Sequence, residues 1–400
     1  MPQYQFTVVH ADGSRKKMNL EAPSVERLKS IISSSGDIAV NIREAGVLNK
    51  EIEIGGKIKA KDLAVFCEQM QSILKAGVSA VDAMKMVGNS TQNKKLKSRI
   101  ELVTEKVRSG QSMSTAMSVY DDVFPLIMIQ MIRAGEESGS LDEIMGRLAL
   151  QFTKSSQLQS SIKKSLAYPK MIITVVVLAL VVVCAYVVPM FVDIFEDLGT
   201  ELPVTTKMFI ALSNLFTNYW WLLIILVIVT VTFWLIFKNS EYGFRIICSV
   251  KLKIPLFADL ERKTASANFA RTLSTLLKSG MDYPKSLDIA CSTMSNIFFK
   301  EAVEGIRGSV LNGMTLTDGL KKSAMFPELL ENLLQIGENT GNIPQMLENS
   351  AIYFEDEVET ATVALTSAIQ PIIMIVMGVF VGMLVYSIYT PMFSMYSSIG

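Results

Sequence analysis

Phe66-Cys-Glu-Gln-Met-Gln-Ser-Ile-Leu-Lys-Ala-Gly77 returns later in the chain as Phe269-Ala-Arg-Thr-Leu-Ser-Thr-Leu-Leu-Lys-Ser-Gly280. In both stretches apolar residues recur at helical spacing, and a glycine stands where a C-terminal cap belongs. The register persists outward. Val107 and Gly110 meet Val310 and Gly313. After a one-residue slip, Phe124-Pro125 meets Phe326-Pro327, and Gly135-Glu136-Glu137-Ser138-Gly139 meets Gly337-Glu338-Asn339-Thr340-Gly341. Phe152 then meets Phe354, Pro169 meets Pro371, and Pro189-Met190-Phe191 meets Pro391-Met392-Phe393. A repeat this long marks a duplicated domain, and each copy ends in one long apolar segment.

Composition bounds the class. Half of the 400 residues are hydrophobic, and the mean hydropathy is +0.35, above that of an ordinary soluble protein. Basic and acidic residues balance at 38 each, so no global field points to nucleic acid or to an acidic substrate. Cys67, Cys184, Cys248 and Cys291 are scattered without a CxxC pair, which argues against zinc, iron–sulfur or a disulfide framework. His10 is the one histidine and reads as a surface residue; HExxH sites and histidine triads are excluded. Residues 1–61 are polar and mixed in charge, unlike a signal peptide.

Three segments, 171–189, 219–237 and 372–389, are apolar, free of Asp, Glu, Lys, Arg and His, and close to the roughly 20 residues that cross a bilayer. The middle one carries Tyr219, Trp220 and Trp221 at one end and Phe233, Trp234 and Phe237 at the other, as an interfacial aromatic belt would. Lys154, Lys163, Lys164 and Lys170 precede the first segment, whereas 190–218 carries Asp193, Glu196, Asp197 and Glu201 against Lys207. Positive flanks stay in the cytoplasm, so the N-terminus is expected inside and 190–218 outside. The third segment is oriented by counting crossings.

Residues 1–50 read as a separate ββαβ module. Tyr4, Phe6 and Val8 alternate, Asp12-Gly13 is a hairpin turn, 15–21 returns, Pro23-Ser24 opens a helix, and Ile38, Val40 and Ile42 form a third strand. A linker follows to about residue 59. Leu63, Phe66, Met70, Ile73 and Leu74 then form one helical stripe, and Leu96, Ile100, Val103 and Val107 another. Both recur in the second copy, as Phe269, Leu273, Leu276 and Leu277, then Phe299, Val303, Ile306 and Val310. The expected fold is a mainly α polytopic membrane protein. It has two homologous cytoplasmic helical bundles of about six helices (61–170 and 238–371), three transmembrane helices and the small α+β module.

The candidate sites are few. The Gly-Glu-x-x-Gly turns, Gly135, Glu136 and Gly139 with Gly337, Glu338 and Gly341, are either partner- or ion-binding turns or helix connections in which glycine supplies an unusual backbone conformation. Glu136, Glu137, Asp142 and Glu143 are oxygen donors of the kind calcium takes, without EF-hand spacing. Gly110-Gln-Ser-Met-Ser and Gly313-Met-Thr-Leu-Thr loosely resemble phosphate loops but lack the Lys-Ser/Thr ending, so a turn with a helix cap is expected. Gly378 and Gly382 form GxxxG, a motif that lets membrane helices approach closely. Pro169 and Pro371 stand at the membrane entries, as bends or as helix starts. No cofactor or metal set and no catalytic constellation is visible.

In this order, twice, around three apolar segments, these motifs resemble the GspF/PilC family, the platform proteins of type II secretion and type IV pilus machines. The shared features include both Phe-Pro pairs, Ala167-Tyr168-Pro169, Gln370-Pro371 and both Pro-Met-Phe endings. The resemblance covers nearly the whole chain. It implies a non-enzymatic protein of the inner or cytoplasmic membrane whose cytoplasmic bundles engage a hexameric assembly ATPase. Pilin or pseudopilin, other membrane assembly subunits, the lipid bilayer and a second copy of the chain are the further partners implied, with no direct contact to nucleic acid. The competing class is a small polytopic transporter or channel subunit, which would require a polar path or ionisable groups within the membrane.

Overall fold

The computed structural model describes residues 3–9, 15–21, 38–44, 58–183 and 220–399. Three strands open the chain: β1 (Gln3–Val9), β2 (Arg15–Glu21) and β3 (Ile38–Glu44). They form an antiparallel sheet in the order β2-β1-β3, with an irregularity between Gln5 and Thr7 on the β3 side. His10, the Asp12-Gly13 turn, the helix expected after Pro23, most of the linker, and residues 184–219 with Cys184, Pro189 and the acidic connecting segment lie outside the described residues.

The first copy contains α1 (Ala60–Lys75), α2 (Ala80–Ser90), α3 (Lys94–Arg108), α4 (Met113–Ser118), α5 (Leu126–Ser138) and α6 (Leu141–Ser165), followed by α7 (Ala167–Val182). After the gap come α8 (Trp220–Asn239) and α9 (Glu241–Lys253). The second copy then runs through α10 (Pro255–Lys278), α11 (Tyr283–Thr293), α12 (Ile297–Leu311), α13 (Leu316–Ser323), α14 (Glu328–Thr340) and α15 (Ile343–Ile399). The described residues thus give six helices per copy, with one additional helix, α9, ahead of the second.

The two copies are punctuated by the same chemistry at matching positions. Ser79 and Asp282 accept from the third backbone N–H of α2 and α11, and Asn93 and Asn296 cap α3 and α12. Ser112 and Thr315 cap α4 and α13, and Pro125 and Pro327 precede α5 and α14. Each cap satisfies backbone donors that a helix start leaves without partners. The one-residue slip falls at the end of α13, where Ala324 takes a left-handed conformation, φ +51°, and shortens the connection to α14.

In each copy the first helix packs along the last: α1 on α6, and α10 on α15. Phe66, Cys67 and Met70 of α1 meet Met145, Leu148 and Phe152 of α6 in one core. Phe269 and Leu273 meet Leu347, Ala351 and Phe354 in the other. Phe326 of the Phe-Pro pair fills the middle of the second core, its ring 5.1 Å from Phe269 and 5.5 Å from Phe299. Leu74 and Leu277, read as part of the stripes, are half-buried at the core margin. The stripe turns outward there because α1 and α10 end within one turn, at Gly77 and Gly280 with φ +82° and +83°.

The copies also close on each other. Leu276 and Ile289 of the second copy belong to the first copy's core. Further along, Leu158 and Ile162 of α6 pack on Leu260, Val358 and Leu365. Beyond this point the copies differ. Helix α6 stops at Ser165 and α7 begins at Ala167, with Pro169 in its first turn. Helix α15 instead continues without interruption through Pro371, so Pro371 does not start a helix.

Among the described residues, one helix segment, Ile343–Gly382, is long and apolar enough to cross a membrane; the Ile225–Asn239 stretch of α8 qualifies together with α9, which leaves it at 90°. Helix α7 is 16 residues long, and its residues 171–182 belong to the first apolar segment.

Phe269, fully buried, and half-buried Leu277 separate core from margin. Phe269→Ala is expected to cost about 3–5 kcal/mol and Leu277→Ala well under half of that. Urea unfolding of the detergent-solubilised chain, followed by circular dichroism, checks this; equal losses would contradict the assignment.

Candidate functional site

The Gly-Glu-x-x-Gly segments are built from three separate requirements. The last glycine ends a helix: Gly139 closes α5 with φ +71° and Gly341 closes α14 with φ +70°, a left-handed conformation that glycine alone adopts without steric cost. The first glycine sits where the next helix crosses. A Cβ on Gly135 would lie 3.0 Å from Ile144 and 3.3 Å from the Leu141 backbone. On Gly337 it would lie 3.0 Å from the Ile343 backbone and 3.1 Å from Met346.

The glutamate between them points into the protein. Glu136 Oε1 accepts from the Met113 N–H at 2.5 Å, and Oε2 accepts from the Ser114 N–H at 3.2 Å and the Ser114 hydroxyl at 2.6 Å. Glu338 Oε1 accepts from the N–H groups of Leu316 at 2.7 Å and Thr317 at 3.1 Å. Each carboxylate thus caps the N-terminus of the short helix that follows the phosphate-loop-like Gly110 or Gly313 turn. Four free donors and the positive end of the helix dipole meet there. Where a nucleotide loop would hold a phosphate, this chain supplies its own anion from a helix hairpin further on. The two loosely defined motifs are therefore halves of one contact, made twice.

The neighbouring acids do not converge on a cation. Glu143 is taken by Arg147 at 2.6 Å within the same helix, and no group of three metal-ligating side chains occurs among the described residues. Cys67 is fully buried, and burial pushes its thiol far above the ordinary range, so it acts as a packing group. Among the described residues, a Cβ added to Gly378 or Gly382 would meet no atom within 4 Å, so no described neighbour covers that side of α15. Pro169 lacks the N–H that would reach the Ser165 carbonyl. The Thr366 hydroxyl of α15 donates to its own Thr362 carbonyl at 2.9 Å and lies 3.4 Å from that Ser165 oxygen.

A polar seam between the copies carries no signal in the linear sequence. Gln151 of α6 donates to the Thr272 hydroxyl at 3.3 Å and accepts from the Thr275 hydroxyl at 3.1 Å. Beside it Arg271, 8% exposed, pairs with Glu355 at 2.8 Å and with Glu348 at 3.8 Å. Lys278 also reaches Glu348, and Lys154 of the first copy reaches Glu355 at 3.6 Å. A groove of about 570 Å³ opens next to this network, between α6 and α15, lined by Lys154, Ser161, Lys164, Glu355 and Glu359. The matched position to Arg271 in the first copy is Glu68, so only the second copy could announce a buried cation, and no partner spacing identifies it.

The capping role gives a direct expectation. Glu338→Ala strands two backbone donors and is expected to cost about 1–3 kcal/mol for each one left without water, while Glu338→Gln keeps an acceptor and loses less. Glu136→Ala is expected to behave alike. Unfolding midpoints measure the difference, and added calcium is expected to shift none of them; a calcium-dependent midpoint in the unsubstituted chain would contradict the capping assignment.

Comparison with known proteins agrees with the duplication. The family model described as type II secretion system (T2SS), protein F, matches residues 66–189 and again 269–391. The type IV pilus assembly protein PilC of Thermus thermophilus is 32% identical over 98% of both chains. The type IV pilus assembly protein PilC of Pseudomonas aeruginosa is 31% identical over 93% of this chain and 100% of its own. The type II secretion system protein F of Xanthomonas campestris pv. campestris is 28% identical over the full length of both. Both matched regions begin at the phenylalanine that anchors a bundle core, and both run on into the apolar segment that follows the bundle. The chain belongs to the type II secretion system protein F family, the GspF/PilC family.

Proposed function

We propose that this chain is the membrane platform of a type IV pilus or type II secretion-like machine, a structural component that couples a cytoplasmic assembly ATPase to polymerisation of pilin or pseudopilin. Its relatives carry the names of pilus assembly and secretion proteins over their full lengths. The observation that carries the mechanism is α15. Its first half is cemented into the second bundle through Leu347, Phe354 and Val358, and its second half is the apolar segment, with no break between them. A displacement of the bundle therefore moves the membrane segment as one body. A transporter would need charged or titrating groups along the apolar segments, which hold no Asp, Glu, Lys, Arg or His.

In this reading 1–50 is the ββαβ module, 61–170 and 238–371 are the cytoplasmic bundles, and 171–189, 219–237 and 372–389 are the three spans, with 190–218 outside. The platform sits in the inner or cytoplasmic membrane with its N-terminus inside. The open Gly378 and Gly382 side of α15 is the seam for another span, from a second copy or another assembly subunit. Pro169 and Pro371 are the two places where force passes from bundle to membrane. The first marks a helix break, supported by the turn at Leu166, and the second lies within a continuous helix.

Topology and coupling can be tested separately. In intact cells a membrane-impermeant thiol reagent is expected to label a cysteine placed at residue 200 and not one at 90 or 320; labelling at 320 would refute the orientation. Co-purification of the full chain with the assembly ATPase tests the partner, and loss of that complex in every detergent tried would count against it. The double variant Pro169→Ala and Pro371→Ala is expected to insert and bind the ATPase normally but to assemble less filament. Unchanged assembly would remove the prolines from the mechanism.

A further inference from the structure

Helix α9 leaves α8 at 90° with only Ser240 between them. The sharpness of this elbow depends on Gly243. A Cβ there would lie 1.9 Å from the Phe237 carbonyl oxygen, a backbone atom that cannot step aside. Gly243 therefore marks the side of α9 that faces back toward α8. Residues three, four and seven positions further along share that side of a helix. They are Ile246, Ile247 and Val250, and Ile254 continues the row at the helix end. All four are apolar, yet Ile246, Val250 and Ile254 are 51%, 48% and 43% exposed. The opposite side is covered: Cys248 is buried and Leu252 packs on the second core. Helix α9 thus has two apolar sides, one seated on the bundle and one bare, and the bare one looks along the direction of α8.

The charges around it fit a particular occupant. Arg245 pairs with Glu301 at 3.0 Å and Lys251 with Glu261 at 2.5 Å, both toward the bundle. Lys238 and Lys253 make no ion pair among the described residues, and Glu241 is the one acid in the helix. A short helix perpendicular to a span, with an apolar side facing the bilayer and free lysines at its rim, matches the headgroup layer of a membrane.

We propose that α9 lies flat in the cytoplasmic headgroup layer as an interfacial helix and seats the second bundle on anionic lipid. The proposal rests on the reading of α8 as a span. It gives the bundle a fixed height and orientation over the bilayer, so that a push on the bundle is borne by lipid as well as by α15. Gly243 holds the elbow, and the row from Ile246 to Ile254, extended by Leu256 and Phe257, is the contact surface.

The test uses the full chain in vesicles of phosphatidylcholine and phosphatidylglycerol, with a fluorescent amino acid placed singly at 229, 246, 250 or 322. Position 229 is expected to be quenched by a nitroxide in mid acyl chain, and 246 and 250 by a nitroxide near the headgroup. Iodide in the water is expected to quench 246 and 250 at least about threefold less than 322, on the exposed surface of α13. Iodide access at 246 equal to that at 322, with 229 still quenched by lipid, would overturn the proposal and leave the span intact. A label at 246 reached by neither lipid nor iodide would mean that a protein covers the row, and would overturn it too. Loss of lipid quenching at 229 would remove the span and this inference together. Headgroup-level quenching at 246 is expected to weaken in pure phosphatidylcholine and in the double variant Lys238→Gln and Lys253→Gln; no change in either would refute the anionic preference.

Discussion

The lengthwise pairing of the first helix of each copy with its last is the contact on which the rest of the structure depends. The last helix of each copy is also the one that leads toward an apolar segment. Burying Phe66 and Met70 against α6, or Phe269 and Leu273 against α15, therefore does two things at once. It closes a bundle, and it holds the helix that leads into an apolar segment. The short helices between first and last complete the core around that pair. Their ends are set by the same caps and the same left-handed glycines in both copies, so the duplication preserves the framework more faithfully than the surface.

Polar chemistry inside the bundles serves architecture. Glu136 and Glu338 bind helix N-termini as a carboxylate ligand would, and in doing so they tie the penultimate helix of each copy to the short helix before it. The glycine before each glutamate lets the last helix cross closely, and the glycine after it ends the helix. One short motif thus fixes three elements. The Gln151, Thr272 and Thr275 hydrogen bonds and the Arg271 network then register one copy against the other. Apolar packing at that junction could slide, whereas donors and acceptors at fixed spacing cannot.

The copies have diverged where their bundles pass into the apolar segments. The first breaks at Leu166, next to Pro169, and the second carries Pro371 inside an unbroken helix. Among the described residues, only the second copy is preceded by a helix such as α9, turned through 90° against α8. Under the proposed function, a jointed link on one side and a rigid one on the other suit a body that moves one apolar segment relative to another.

Much of this was legible in the sequence. The stripes, the capping residues and the turn glycines are local, since a helix end is decided by residues within one turn of it. They placed the two bundles, and the alternation at Tyr4, Phe6 and Val8 and at Ile38, Val40 and Ile42 placed β1 and β3. Duplication made each signal count twice. Leu74 and Leu277 were legible as apolar but not as marginal, because exposure near a helix end depends on which neighbour covers it. The partners of Glu136 and Glu338 lie more than twenty positions upstream, and those of Gln151 lie in the other copy. Nothing in linear spacing selects such partners; they are chosen when helices cross and burial leaves each donor or acceptor with one remaining neighbour. The sequence by itself determined the duplication, the glycine-marked helix ends within each copy and the apolar segments, because these follow from local periodicity and backbone chemistry. The tertiary structure decided which carboxylate caps which helix, how the two copies lock, and where the α8–α9 elbow turns, because those depend on distances across the fold.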